Sequence, residues 1–140
     1  MSASDADKPS IGSAEAGARP AIHVVRASGV DDACTGRVAI GAEELGIPTR
    51  VLIGEDTDAV ALAHHGARTS RLGVGVGLAG DRIAIHERHM PAEQAVIVCD
   101  VSNDPMGQRP GHRRAGENAA RLVVGRPLRL DDIAAGNDTG

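Results

Sequence analysis

The chain has 140 residues, a formal net charge of −4 and a pI near 5.8, and it contains no Phe, Tyr or Trp. This length fits a single domain whose core is built from small aliphatic side chains. The acidic balance and the lack of aromatic rings argue against a base-stacking nucleic-acid interface, and no apolar run is long enough for a membrane-spanning helix. We therefore expect neither a nucleic-acid nor a membrane partner.

The ends of the chain differ in composition from its middle. Residues 1–19 are rich in Ser, Ala, Gly and acids, which predicts a disordered leader, and residues 129–140 are predicted to form a flexible tail. The leader has no apolar run, so it is not a secretory signal. Cys34 and Cys99 stand alone without a CxxC spacing, which is typical of structural thiols in a reduced compartment. We expect a cytoplasmic protein with one domain over residues 20–128.

The first half of that domain alternates strands and helices. Residues 20–27 predict a strand, and a helix capped by Asp31 or Asp32 is expected to run to about Gly46. Residues 49–53 are apolar after the first two positions, as expected for a strand covered on both faces.

The second half continues the alternation. A helix capped by Asp56 or Thr57 is expected to run to about residue 70, a hairpin follows over residues 72–86, and a short buried strand covers residues 95–101. The last helix is expected over residues 113–124. This order predicts an α/β fold, a single small layered domain whose mainly parallel sheet includes one β-hairpin and carries helices on both faces.

Glycines alternate with aliphatic residues in the first strand of the hairpin. Gly73, Gly75 and Gly77 would leave one strand face without side chains, which suggests that a helix, a ligand or a partner lies against it. Gly75, Gly77 and Gly80 also satisfy the GxGxxG spacing. The dinucleotide fingerprint requires a helix at this point, however, and the residues that follow are typical of a strand, so we expect no nucleotide site here.

Catalytic motifs are absent from the sequence. There is no P-loop, no GxSxG motif and no pair of histidines at helical zinc spacing, so the histidines are expected to be structural or exposed. Residues 109–129 contain six arginines and one acid, Glu117. Such a segment is either a solvated helix face or a docking surface for an acidic partner.

Two adjacent acids lie near the end of the first predicted helix. Glu43 and Glu44 oppose the helix dipole there, so they favour a compensating cation or basic group, although an exposed solvated pair is the simpler interpretation. Adjacent residues diverge by about 100° around a helix, so only one of them can face a given ligand. A carboxylate oxygen would suit a hard ion such as Mg²⁺.

Three stretches together resemble the dehydratase medium-subunit family, in particular the small subunits of diol or glycerol dehydratase reactivating factors. They are Glu43-Glu44-Leu-Gly-Ile-Pro-Thr-Arg50, Arg71-Leu-Gly-Val-Gly-Val-Gly77 and Arg114-Ala-Gly-Glu-Asn-Ala-Ala-Arg-Leu-Val-Val-Gly-Arg-Pro127. The resemblance covers about residues 20–128. The chain departs from the family pattern at Thr49, Val124 and Leu128, which bears on interface packing more than on the fold.

The resemblance implies a non-catalytic accessory subunit. Its partners would be a large ATPase subunit and a coenzyme-cobalamin-dependent diol or glycerol dehydratase, whose medium subunit it replaces so that damaged cobalamin leaves. It also implies that Glu44 reaches a Mg²⁺ held by the large subunit, that no cobalamin is held stably, and that the complex is cytoplasmic, with bacterial microcompartments as one setting.

The expected partner interface comprises the following residues: Glu43, Glu44, Gly73, Gly75, Gly77, Asn118 and Arg121. Two other hypotheses stay open. The chain could be a cobalamin-binding medium subunit of the dehydratase itself, although that subunit carries a longer N-terminal portion, or a free-standing small-ligand module, which only the α/β pattern supports.

Overall fold

The computed structural model describes residues 19–130, so most of the predicted leader and tail lies outside the described residues. This part of the chain contains five strands and three helices. Their bounds are β1 Ile22–Ala27, α1 Asp32–Glu43, β2 Thr49–Gly54, α2 Ala59–Thr69, β3 Val74–Ala79, β4 Arg82–Glu87, β5 Ile97–Asp100 and α3 Pro110–Val124. None of these helices is long and apolar enough to cross a membrane.

The strands form one sheet in the order β2-β1-β3-β4-β5. Strand β1 pairs in parallel with both β2 and β3, and β4 pairs antiparallel with β3 and β5. The hairpin turn between β3 and β4 contains Gly80 in the left-handed region, at φ 55°. The predicted fold class is confirmed, and β4 is the antiparallel member that the hairpin predicted.

Helices cover both faces of the sheet. Alternate residues of β1 point to opposite faces, so Ile22 and Val24 pack with α1 and α3, whereas Val25 packs with α2. The cluster beneath α1 and α3 is the larger one and includes Val76 and Ile85 from the hairpin. The two clusters are therefore built mainly from aliphatic side chains, as the composition requires, and three histidine rings are buried as well.

The helix boundaries follow the predicted caps with small shifts. Asp31 caps α1 by accepting a hydrogen bond from the Ala33 N–H at 2.7 Å, and Gly46 follows the helix in the left-handed region, as predicted. Helix α2 is capped by Asp58 rather than by Asp56 or Thr57. Helix α3 begins at Pro110, three residues earlier than predicted, because Pro is well suited to the first turn of a helix.

Strand β2 lies at one edge of the sheet and is not covered on both faces, so that prediction is wrong. Val51 is 44% exposed and Ile53 is 64% exposed. Both residues share register with β1 residues on the face of α1 and α3, but these helices do not extend over the edge strand. An apolar run marks a strand without showing how far the neighbouring helices extend over it.

The glycine-rich face of β3 is occupied by helix α2. A Cβ atom at Gly75 would lie 2.3 Å from the Ala63 carbonyl oxygen, and one at Gly77 would lie 2.1 Å from the Ala59 carbonyl oxygen. Of the three expected occupants, the helix is therefore the observed one. Gly73, Gly75 and Gly77 are buried inside the chain, and the prediction that they line a partner interface is wrong.

Candidate functional site: the carboxylate at the end of α1

The end of α1 presents Glu44 at the surface. Glu44 is the C-cap residue, and its backbone N–H donates to the Ile40 carbonyl oxygen at 3.1 Å. The helix then closes through Gly46, whose backbone has φ 79° and whose N–H donates to the Glu43 carbonyl oxygen. These backbone hydrogen bonds hold the backbone of Glu44 in place, so its side chain projects from the negative end of the helix dipole.

An internal cation compensates the Glu44 carboxylate. The Arg113 guanidinium, from the first turn of α3, donates to Oε2 of Glu44 at 2.7 Å. The two side chains are 36% and 42% exposed, so solvent screens the pair and it adds little to stability. The cation that the sequence argument required is thus present within the chain, although 69 residues separate the two partners.

Close helix packing positions this ion pair. A Cβ atom at Gly41 of α1 would lie 1.9 Å from the Arg113 carbonyl oxygen, and one at Gly116 of α3 would lie 1.8 Å from the Val38 carbonyl oxygen. The backbones of α1 and α3 therefore touch one turn from Glu44. Because neither helix can shift without breaking this contact, the backbone of Arg113 is held in place beside the carboxylate.

Most of the basic segment is used inside the chain. Glu117 is buried, and Arg114, Arg121 and Arg129 all contact its carboxylate, Arg121 at 3.0 Å and Arg129 at 3.4 Å. Burial alone would raise the pKa of Glu117, but the hydrogen bond from Arg121 and the three positive charges hold that pKa below its ordinary value. The segment is therefore largely an internal ion cluster and not simply a solvated face.

The same cluster fastens the C-terminal segment to α3. The Asn118 side chain is fully buried, accepts the Arg129 N–H at 2.6 Å and donates to the Arg129 carbonyl oxygen at 2.8 Å. Arg121 also donates to the Pro127 carbonyl oxygen at 3.2 Å. Arg129 was predicted to open the flexible tail, yet it is held by these bonds. Asn118 has an internal role, and the prediction that it lies at a partner interface is wrong.

The sequence matches a known protein family over most of its length. The family model described as dehydratase medium subunit matches residues 19–129. The chain belongs to the dehydratase medium-subunit family. Curated relatives in this family include a propanediol dehydratase-reactivating factor small subunit of Citrobacter freundii, 33% identical over 79% of this chain and 90% of its own length. A diol dehydratase-reactivating factor small subunit of Klebsiella michiganensis is 35% identical over 76% of this chain and 86% of its own length.

Solved structures show the same dehydratase medium-subunit fold. A chain of a glycerol dehydratase reactivase superimposes with a TM-score of 0.70 and 27% identity, covering 79% of this chain and 96% of its own. A chain of a diol dehydratase-reactivating factor complexed with ADP and Mg²⁺ superimposes with a TM-score of 0.68 and 33% identity. The match covers 80% of this chain and 99% of the other. The predicted resemblance and the predicted fold are therefore both confirmed.

The end of α1 carries two adjacent exposed carboxylates, Glu43 and Glu44. Within residues 19–130, no three His, Cys, Asp or Glu side chains are grouped closely enough to hold a metal ion. Glu44 is exposed and is an oxygen donor of the kind that Mg²⁺ prefers, so it fits one ligand position of an ion held mainly by another molecule. Glu43 is exposed beside it and leaves the helix in a different direction.

Arg113 could not be recognised from the sequence as the partner of Glu44. It was counted among the six arginines, and no local spacing links it to Glu44, because the pairing depends on the contact between α1 and α3. The first-turn position of a basic residue was the only available signal, since a positive charge there opposes the helix dipole and needs a partner elsewhere.

The two cysteines are free and buried, as expected of structural thiols.

Proposed function

We propose that this chain is the small subunit of a dehydratase-reactivating factor and acts as an accessory protein. The observation that carries the proposal is that the curated relatives named for this role match it over 90% and 86% of their own lengths. The alternative, a cobalamin-binding medium subunit of the dehydratase, shares the family, but these relatives are reactivating-factor subunits and favour the factor.

In this proposal the chain works by taking the place of a similar subunit. The family fold makes it resemble the medium subunit of a diol or glycerol dehydratase, so it can occupy that position and open the enzyme for release of damaged cobalamin. A large ATPase subunit would be its other partner. The solved relative complexed with ADP and Mg²⁺ supports nucleotide and metal binding in such a factor.

Glu44 would contact that large subunit. When the two subunits meet, a Mg²⁺ held by the large subunit would supply positive charge to the carboxylate, and Glu44 would exchange its contact with Arg113 for the ion. The internal pair lies 2.7 Å apart and is more than one third exposed on both sides. Such a pair is worth about 0.2–1 kcal/mol, so the exchange costs little. Arg113 would then keep the carboxylate compensated in the free chain.

Native mass spectrometry of three purified components tests the proposal. The full chain would be mixed with the large subunit of its factor and with a dehydratase inactivated in the presence of its coenzyme. We expect the chain to bind the large subunit, and to appear bound to the dehydratase in place of its medium subunit when ATP and Mg²⁺ are present. Failure to associate with either component would contradict the proposal.

An absorbance measurement distinguishes the alternative. A dehydratase medium subunit would carry cobalamin into its enzyme, so a stable coloured complex of the isolated chain with cobalamin would favour that function. We expect the isolated chain to elute without cobalamin from a desalting column after incubation with an excess of it. Matched incubation with an intact dehydratase serves as the positive control.

A further inference from the structure

Two arginines of the basic segment have no acid to pair with inside the chain. Four of the six arginines contact Glu44 or Glu117. The other two, Arg109 and Arg126, are exposed, and their guanidinium groups form no hydrogen bond or ion pair with any residue of the described range 19–130. They flank opposite ends of α3, which has 15 residues and is therefore about 22 Å long.

Arg126 lies at the same hollow as the Glu44 carboxylate. Glu44, Leu45, Val124 and Arg126 line a hollow of about 330 Å³ where the C-terminal ends of α1 and α3 meet. Glu44 pairs with Arg113 and not with Arg126. The hollow therefore presents an acid and a base that are not paired with one another.

The backbone holds Arg126 at this position. Gly125 ends α3 in the left-handed region at φ 76°, and the Arg126 N–H donates to the Arg121 carbonyl oxygen at 2.9 Å. The Arg121 guanidinium also donates to the carbonyl oxygen of the next residue, Pro127, at 3.2 Å. Because the backbone is fixed on both sides of Arg126, only its side chain needs to be ordered when a partner binds.

Apolar side chains complete the surface around the two charges. Val124 is 45% exposed, and Leu45 packs only partly against the core. Ile40, one turn before Glu44 on α1, is 43% exposed. Covering these side chains removes apolar surface from water, which favours association with a protein partner.

The charges of the hollow match a protein surface that presents Mg²⁺. In the proposed function, on which this inference rests, Glu44 faces a Mg²⁺ held by the large subunit. Proteins hold Mg²⁺ mainly through carboxylate oxygens, so the surface around the ion also carries acids. An arginine beside Glu44 is complementary to those acids, whereas a second acid in its place would repel them.

We propose that the hollow receives an acidic segment of the large subunit next to its Mg²⁺ site. Arg126 pairs with a carboxylate of that segment, and the segment covers Val124 and Leu45 while Glu44 contacts the ion. The two ionic contacts have opposite signs, so they fix the orientation of the partner and disfavour a partner with either charge reversed. At Arg126 the basic segment is thus a docking surface for an acidic partner.

Titration calorimetry of the full chain with the purified large subunit tests this contact, in Mg²⁺ and in EDTA. We expect Arg126→Glu to weaken association at least about tenfold in both conditions and Arg126→Gln to weaken it about threefold, with both effects reduced by added salt. Arg109→Glu is the matched control. It reverses the same charge at the other end of α3, so it should bind like the unchanged chain.

Val124→Thr tests the apolar part of the surface. Threonine has nearly the shape of valine and no charge, so we expect association to weaken about threefold and this loss to be independent of salt. An unchanged affinity of this variant would overturn the apolar contact.

The outcomes separate this inference from the proposed function. If the unchanged chain binds the large subunit but Arg126→Glu binds as tightly or more tightly, the acidic-segment contact is overturned and the proposed function stands. Equal losses in Arg126→Glu and Arg109→Glu would also overturn it, because they would show a general effect of net charge. If the unchanged chain does not bind the large subunit at all, both proposals are wrong.

Discussion

Helix α2 and the pair α1 and α3 cover opposite faces of one sheet, and they differ in how they are held. Under α2, the backbone of β3 has no side chains at Gly75 and Gly77, and the helix backbone packs directly on the strand. On the other face a larger aliphatic cluster supports two helices, and these contact one another through Gly41 and Gly116. The side covered by α2 is therefore held by direct packing of backbone on backbone. The side covered by α1 and α3 presents charged groups at its surface.

This difference shows where function can reside in the domain. The glycine-rich strand is the most conspicuous stretch of the sequence, but its bare face is filled by the chain itself. Glu44 and Arg113 are inconspicuous in the sequence and meet only because α1 and α3 pack together. Substitutions on the two faces test this contrast between a packing face and a face with exposed charges.

Gly77→Val tests the packing face and should have the largest effect. The new side chain would collide with the α2 backbone, so we expect the free energy of unfolding to fall by about 3 kcal/mol in urea titrations. Gly36→Ala is the matched control, because a Cβ at Gly36 meets nothing within 4 Å, and it should stabilise α1 by about 0.5–1 kcal/mol. Equal stabilities of the two variants would contradict the close contact of α2 with β3.

Glu117→Gln tests the buried ion cluster under α3 and the C-terminal segment. Removing the carboxylate leaves Arg114 buried without this partner charge, so we expect a loss of about 3 kcal/mol at pH 7. Arg126→Gln, at an exposed position beyond the helix, is the control and should change stability by less than about 0.5 kcal/mol. A loss near that of the control would show that the cluster is weakly coupled.

The same cluster predicts how stability depends on pH. The folded pKa of Glu117 lies below its ordinary value of 4.5, so its contribution is fully present above pH 4.5 and is lost as the pH falls through the folded value. The folded pKa of Asp104 likewise lies below its ordinary value of 3.8, so its ionised carboxylate also stabilises the folded chain and this contribution is lost in acid. We expect unfolding titrations of the unchanged chain to show falling stability below about pH 4.5, with a smaller fall in Glu117→Gln.

Sequence reasoning identified the fold because the local signals agreed with one another. The Asp31 cap, the Gly46 turn and the alternation in β3 each depend on neighbouring residues, and the structure confirms all three. The exposure of Ile53 and the burial of Asn118 depend instead on how far α1 and α3 extend and where residues 126–130 return. Both depend on contacts between residues far apart in sequence, which the local spacing of residues does not predict.

Arg113→Gln tests the exposed ion pair and should have a small effect on stability. We expect a loss of about 0.2–1 kcal/mol at low ionic strength, which added salt reduces, because the pair is partly solvated. In the proposed function the same change frees Glu44 from its internal cation. Association with the large subunit in Mg²⁺, measured by titration calorimetry, should therefore become tighter; weaker association would show that Arg113 itself contacts the partner.

Ile53→Thr tests the edge strand and should have the smallest effect. The side chain is 64% exposed and threonine is well suited to a strand, so we expect the unfolding free energy to change by less than about 0.5 kcal/mol. The comparison is Val24→Thr on the neighbouring strand, where the side chain is fully buried and the loss should exceed about 1 kcal/mol. Similar losses would mean that β2 is covered after all.

The Mg²⁺ dependence of binding to the large subunit tests the central claim most directly. Glu44→Gln and Glu43→Gln remove one carboxylate each from adjacent exposed positions, so they are matched in charge. We predict that Glu44→Gln weakens association at least about tenfold, or ~1.4 kcal/mol, in Mg²⁺ and has little effect in EDTA, while Glu43→Gln resembles the unchanged chain in both. Equal affinities of the two variants in Mg²⁺ would contradict the claim that Glu44 contacts the partner's ion.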